Sequence, residues 1–232
     1  MSDPVVICRG VSRTYQKEAV PIYALRSVDF TVHPGEFISL SGPSGSGKST
    51  LLNIIGGLDR PDTGTVIVDD VDYSELSESQ LAELRLMKLG FVFQAYNLVP
   101  VLSALENVEF IMQLQGVHAA ERATRAKGVL TTLGLGELIH RRPNEMSGGQ
   151  QQRVAVARAI VSKPVLLLAD EPSANLDSHT TKELLDLLRK LNKENGMTIV
   201  TATHDPMVMS YATRQVKLRD GAIEHDDAFA MV

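Results

Sequence analysis

Short aliphatic and β-branched runs bounded by Pro, Gly and Asp recur near both ends of the chain, while its middle carries longer stretches with helical spacing. That pattern predicts an α/β fold, a mixed domain with an inserted helical part. FISLSG at 37–42 is short, apolar and ends in a glycine-rich turn, so it reads as a buried strand, with STLLNIIGGL at 49–58 as the helix after it. GTVIVDD at 64–70 and GFVFQ at 90–94 read as further strands, and Ser77 and Gln80 have the spacing of a reciprocal cap for a helix between them. Ser103 and Glu106 repeat that spacing ahead of ENVEFIMQLQG and AAERATRAKGVLTTLGL. Residues 95–163 are therefore expected to form a helical subdomain inserted into a core made of 1–94 and 164–232.

VLLLAD at 165–170 is continuously apolar and then abruptly acidic, as for a parallel strand whose carboxyl end opens onto a ligand site. MTIVTATH at 197–204 repeats the design. KELLDLLRKLNKENG places apolar residues three and four apart and ends at Gly196, a left-handed cap, while Asp220-Gly221 between two extended runs predicts a hairpin.

A chain of 232 residues, 44% of them hydrophobic, is long enough for one domain to bury about 70 to 75% of its unfolded surface. Lys and Arg number 23 against 28 Asp and Glu, a net charge of −5, which argues against a nucleic acid partner gripped through its phosphates. Cys8 is the one cysteine, so no intrachain disulfide forms, and MSDPVVICRG lacks the features of a secretion signal; both fit the reducing cytosol. No apolar run approaches the roughly 20 residues that span a bilayer, so a second chain would do any crossing.

Residues 42–50 read Gly42-Pro43-Ser44-Gly45-Ser46-Gly47-Lys48-Ser49-Thr50, a G-x-x-x-x-G-K-[ST] loop between a strand and a helix. Glycines let consecutive N–H groups turn inward around a phosphate, Lys48 adds positive charge toward the β- and γ-phosphates, and the Ser49 hydroxyl suits Mg²⁺. A chain of this length shows the pattern by chance about once in a hundred. Asp170 and Glu171 end an apolar strand: Asp170 is the expected Mg²⁺ partner, directly or through water, and Glu171 the base that polarises an attacking water. Ser147-Gly148-Gly149-Gln150 opens another helix. By itself this is first an ordinary cap, yet it is also a second anion site, and two phosphate devices that cannot share one nucleotide within a monomer point to an antiparallel dimer.

Tyr15, the 42–50 loop, Gln94, MSGGQQQR at 146–153, VLLLADEP at 165–172, SANLD at 173–177 and His204, in this order, closely resemble the nucleotide-binding domains of ABC transporters. The resemblance covers nearly the whole chain, and SGGQ upstream of the acidic strand is its most specific element. It implies a P-loop NTPase core with a mixed sheet, an antiparallel β part at the N-terminus and an inserted helical subdomain, in an ATPase that uses ATP and Mg²⁺ and works as a head-to-tail homodimer. It further implies that Tyr15 stacks on adenine, Gln94 contacts Mg²⁺ or the attacking water, Asp177 signals across the dimer and His204 meets the γ-phosphate. The family's usual leucine before SGGQ is Met146 here, and a usual threonine is Ser173.

AYNLVPVLSALENVEF at 95–110 and LNIIGGLDRPDTGTV at 52–66 look like the ATPases of lipoprotein-releasing, macrolide-exporting or cell-division-linked membrane proteins, which places the chain on the cytoplasmic face of a bacterial or archaeal membrane. The apolar stretch after Gln94, to Leu102, is where the family seats its membrane subunit; Leu98, Val99 and Leu102 either form that seat or pack inside the helical part. The alternatives are an ABC-type ATPase that regulates cell division, a soluble ABC ATPase without a transport role, and a noncatalytic scaffold. The chain shows neither heptads nor a second phosphate loop, and it carries both Glu171 and His204.

Overall fold

The computed structural model describes residues 3–17 and 20–228. Two sheets share one core. The first is antiparallel, ordered β2-β1-β4-β5, from β1 (Val6–Lys17), β2 (Val20–Val32), β4 (Thr63–Val68) and β5 (Val71–Asp72). The second is ordered β10-β9-β3-β8-β7-β6, from β3 (Phe37–Ser41), β6 (Leu89–Phe93), β7 (Leu166–Asp170), β8 (Ile199–Ala202), β9 (Arg214–Arg219) and β10 (Ala222–Ala228). Its first five strands in the chain pair in parallel, and only β10 returns antiparallel through the Asp220-Gly221 turn, where φ is 50° and 80°. β3, β7 and β8 are almost wholly buried because the helical core covers one face and α1 with the antiparallel sheet the other, which is why they lack alternation.

Helix α1 (Lys48–Ile55) packs Leu51, Leu52, Ile54 and Ile55 into the core between the two sheets. Helix α2 (Glu78–Lys88) opens with the Ser77–Gln80 capping box. Between β6 and β7 the chain forms α3 (Ala104–Leu114), α4 (Ala119–Thr132) and α5 (Gly148–Ile160), with Ser103–Glu106 capping α3. A second core joins α3, α4 and α5 to α6 (Ser178–Asn195) and to α7 (Pro206–Tyr211). α6 buries Leu184, Leu185, Leu188 and Leu191 along one stripe, at about 1.5 to 3 kcal/mol for each full burial, and stops at left-handed Gly196, φ 65°.

Asn107 is buried within this helical part and fixes the segment that precedes α3. Its Oδ1 accepts from the Val99 amide at 2.8 Å, and its Nδ2 donates to the carbonyls of Val99, Leu102 and Ser103 at 3.0 to 3.2 Å. Among the described residues no helix is long and apolar enough to cross a membrane.

Candidate functional site

The chain leaves β3 at Ser41 and turns sharply into α1, and the turn is shaped by backbone crowding. Gly47 has φ 104°, and a Cβ there would lie 2.5 Å from the Ala24 carbonyl oxygen and 2.9 Å from Leu25. Because the residue before α1 has no side chain, no cap occupies the first-turn amides of the helix. Those donors face a cleft of about 570 Å³ lined by Tyr15, Ile22, Ala24, residues 44–50, Gln94, Glu171, Ala174 and His204. Lys48 is buried at its rim and donates to the carbonyls of Gly42 and Pro43 at 2.9 and 3.0 Å. Gly42 forms the loop's inner wall rather than the lining, with the Leu218 carbonyl pressed where its Cβ would be. The Ser46 hydroxyl is buried without a partner, so the loop holds an unused polar group as well as uncommitted amides. Such a cradle fits a phosphate.

At the end of β7, Asp170 Oδ1 accepts from Ser49 Oγ at 3.0 Å. Burial raises the Asp170 pKa although Ser49 and the Lys48 charge oppose the rise, so a cation beside it would be favoured. The hydroxyl and carboxylate are hard oxygen donors. Such donors suit Mg²⁺, an ion held by one or two protein oxygens together with substrate phosphates. Glu171 adopts φ 45°, a conformation that costs a non-glycine residue on the order of 1 to 3 kcal/mol. Its backbone N–H bonds the Ala202 carbonyl at 2.9 Å. Its carboxylate accepts from Thr203 Oγ1 at 3.3 Å and lies 2.7 Å from His204 Nδ1. A carboxylate oriented in this way from two sides can receive a proton from a water in the cleft.

Tyr15 is half-buried and held by Asp59 and Arg13. Its hydroxyl donates to Asp59 Oδ2 at 2.5 Å, the Arg13 guanidinium lies 4.8 Å from its ring centre, and Arg13 itself pairs with Asp59 and Asp62 at 2.8 and 2.7 Å. Burial first, and then Asp59, push the phenol pKa up. A ring fixed at the cleft edge is a surface for stacking. Gln94 is exposed just past β6, and its carbonyl accepts from Asn175 Nδ2 at 2.9 Å.

The signature turn lies elsewhere. Residues 147–150 and Asp177 are absent from the cleft lining. Ser147 caps α5 in a box with Gln150: Ser147 N–H reaches Gln150 Oε1 at 2.9 Å, and Gln150 N–H reaches Ser147 Oγ at 3.3 Å. Asp177 caps α6 by accepting from the amides of His179 and Thr180, both at 3.0 Å, and these bonds lower its pKa. The structure thus gathers Tyr15, most of 42–50, Gln94, Asp170, Glu171 and His204, and leaves 147–150 and Asp177 outward. Met146 fills the helical core, and the Ser173 hydroxyl donates to Asp205 at 3.2 Å, so both departures from the usual pattern keep a structural task.

Sequence reasoning passed over Arg13, Asp59, Asn175, Ala174 and Thr203. Ala174 and Asn175 lie inside SANLD, Thr203 inside MTIVTATH and Asp59 inside LNIIGGLDRPDTGTV, but none of them stands out there by residue type; Arg13 and Asp59 are 46 residues apart and meet only through the β1–β4 pairing and the turn after α1. Within the expected seat at Gln94 to Leu102 the side chains divide, and Val101 is 72% exposed. Leu98 packs against the helical core, and Asn107 fastens the backbone of Val99 and Leu102. A groove of about 370 Å³ opens beside this stretch, lined by Leu58, Arg85, Leu86, Phe91, Phe93, Asn97, Ile111 and Arg158 among others. Asn97 is the one residue of 94–102 in its lining, and Leu58 is 47% exposed there.

A family model described as ABC transporter matches residues 25–174. The chain is 46% identical over 224 residues to the lipoprotein-releasing system ATP-binding protein LolD 2 of Caulobacter vibrioides, covering 97% of this chain and 98% of that one. It is 47% identical over 218 residues to the macrolide export ATP-binding/permease protein MacB of Syntrophobacter fumaroxidans, covering 93% of this chain but only 30% of that protein. A solved dimeric ATP-binding cassette of Methanocaldococcus jannaschii, in a post-hydrolysis state with ADP and Pi, matches with a TM-score of 0.90 and 43% identity, over 98% of this chain and 100% of that one.

Proposed function

The chain belongs to the ABC transporter family as an ATP-hydrolysing subunit that binds Mg·ATP, dimerises and serves a membrane permease, and from that premise we propose how its residues divide the work and which class of permease it serves. Lys48, the 42–50 amides and the buried Ser46 hydroxyl hold the phosphates, and Tyr15 stacks on the base. Ser49 and Asp170 hold Mg²⁺, with Gln94 completing its surroundings or orienting water; the bound ion supplies positive charge to the phosphoryl oxygens. Glu171 takes the proton of the attacking water, and His204, bonded to the same carboxylate, meets the γ-phosphate. The observation that carries this reading is the convergence on one cleft of the phosphate loop, a Ser49–Asp170 pair at 3.0 Å and a Glu171–His204 pair at 2.7 Å.

The outward Ser147–Gln150 turn and Asp177 act on the nucleotide of a second copy. ATP can favour the closed dimer only through contacts made solely in that state, and an SGGQ turn that lies outside its own cleft is such a contact. Residues 95–163 form the subdomain that carries this turn, and 1–94 with 164–232 form the core. The permease is of the lipoprotein-releasing or macrolide-export type, the chain lies at the cytoplasmic face of the membrane, and the partner seats an apolar segment in the groove between Leu58, Phe91 and Ile111.

The test is Glu171→Gln. The variant should retain ATP, accumulate as a dimer on size exclusion, and release phosphate about 10² to 10³ times more slowly than wild type. Purified with ATP from source membranes, it should bring down a protein with few spanning helices and a large extracytoplasmic domain. Wild-type turnover would remove Glu171 as the base, and a many-helix permease would change the class of partner.

A further inference from the structure

The segment after β6 is fastened to α5 at two places. Tyr96 and Asn97 both sit in the left-handed region, φ 56° and 51°, which costs about 1 kcal/mol or more per residue unless the surroundings hold it. The holding group is Arg158, in the last turn of α5: Nη1 donates to the Asn97 carbonyl at 2.5 Å and Nη2 to the Tyr96 carbonyl at 3.0 Å. Among the described residues no carboxylate pairs with this guanidinium, and its burial lowers its pKa, so the two carbonyl dipoles are its main compensation. At the opposite end of the same helix, the Tyr96 hydroxyl fills the place of a Gly148 Cβ, 2.8 Å from it. Just upstream, the Gln94 carbonyl is bonded by Asn175. Arg158 also lines the groove with Phe91, Phe93 and Ile111, so one side chain borders the groove and fixes the loop that carries Gln94.

We propose that Arg158 is a positioning residue: it fastens the 94–97 loop to α5 and thereby sets Gln94 in the cleft, so that Gln94 and the Ser147–Gln150 turn move as one body. The inference rests on the role given to Gln94 above. A Lys could replace the charge but not both bonds, since the two carbonyls are taken by a planar fork.

The experiment is a double-mutant cycle of Arg158→Met and Gln94→Ala, read by single-turnover hydrolysis of trace Mg·ATP with purified chain in excess. Arg158→Met should slow hydrolysis about tenfold, leave ATP affinity within about twofold, and cause no further slowing on the Gln94→Ala background. Arg158→Lys should recover part of the rate. A wild-type rate in Arg158→Met overturns the proposal, and so does an equal slowing on the Gln94→Ala background, the mark of a merely structural role. If the Met variant does not fold, Arg158→Lys carries the same cycle, with a smaller slowing expected on wild type and none on Gln94→Ala. Failure of the underlying reading looks different: Gln94→Ala itself then hydrolyses at the wild-type rate, which overturns the Gln94 assignment and this inference with it.

Discussion

Two helices of this chain begin on turns rich in Gly and Ser, and they use their first amides in opposite ways. α1 follows left-handed Gly47, has no side-chain cap and opens its donors to a cleft already furnished with Lys48, Ser49 and Asp170. α5 follows Ser147, and the Ser147–Gln150 box already engages two backbone donors. A cap of this kind is worth about 1 kcal/mol, so the start of α5 is held without an anion. The composition of a turn therefore does not decide whether it is an anion site. What decides is whether a neighbouring side chain has already taken the donors, and whether opposite groups complete the site within the same chain. The first turn is a furnished half-site; the second lies outside the cleft with two of its donors engaged, and under the proposed function it meets the nucleotide of another copy.

Lys48→Ala should break the first site most severely. One preorganised donor is worth about 10² to 10³ in rate, and losing Lys48 also strips the carbonyls of Gly42 and Pro43 of their donor, so ATP affinity and turnover should fall together. Equilibrium ATP binding and phosphate release measure both; a loss of turnover with full affinity would mean the loop amides alone hold the phosphates. Ser147→Ala should sharpen the contrast from the other side. ATP affinity of the monomer should stay within about twofold, stability should fall by about 1 kcal/mol, and ATP-driven dimerisation of Glu171→Gln protein should weaken about tenfold. Equal weakening of monomer binding would show that the α5 turn already serves its own cleft.

The same contrast explains what could be read from the sequence. The phosphate loop, the Asp170-Glu171 strand end and the caps at Ser77, Ser103 and Asp177 depend on residues within a few positions of one another, and local spacing is what sequence displays. The hold on Tyr15 depends on Asp59, and the hold on the 94–97 loop on Arg158, residues 44 and 61 positions away from those they fix. No local spacing marks such pairs. The inward packing of Leu98 was hidden for a related reason: an apolar loop after a strand looks the same whether it faces a partner or its own helices, and here Asn107, a buried polar residue inside a helix, decides by tying the loop down.

The smallest expected effect concerns Asp170, where the completed half-site carries a cost in the absence of its cation. Burial raises its pKa in the fold above the ordinary carboxylate value, so at pH values between the two the native state binds more protons than the unfolded chain. Stability then falls as pH rises through that window, and the penalty is fully present at neutral pH. Asp170→Asn has no proton to lose there. Without nucleotide it should melt roughly 2 °C above wild type near pH 7, and the gap should narrow as pH falls through that window and close below the ordinary carboxylate value, where the carboxyl is protonated in both states. Added Mg·ATP should invert the order near neutral pH, because only the carboxylate gains from the cation. Thermal melts of both proteins near neutral pH and below that window, with and without Mg·ATP, test this directly. A gap that does not change with pH would mean that Asp170 is not desolvated in the ligand-free chain. The first half-site would then resemble the α5 turn, indifferent to the charge it is built to meet.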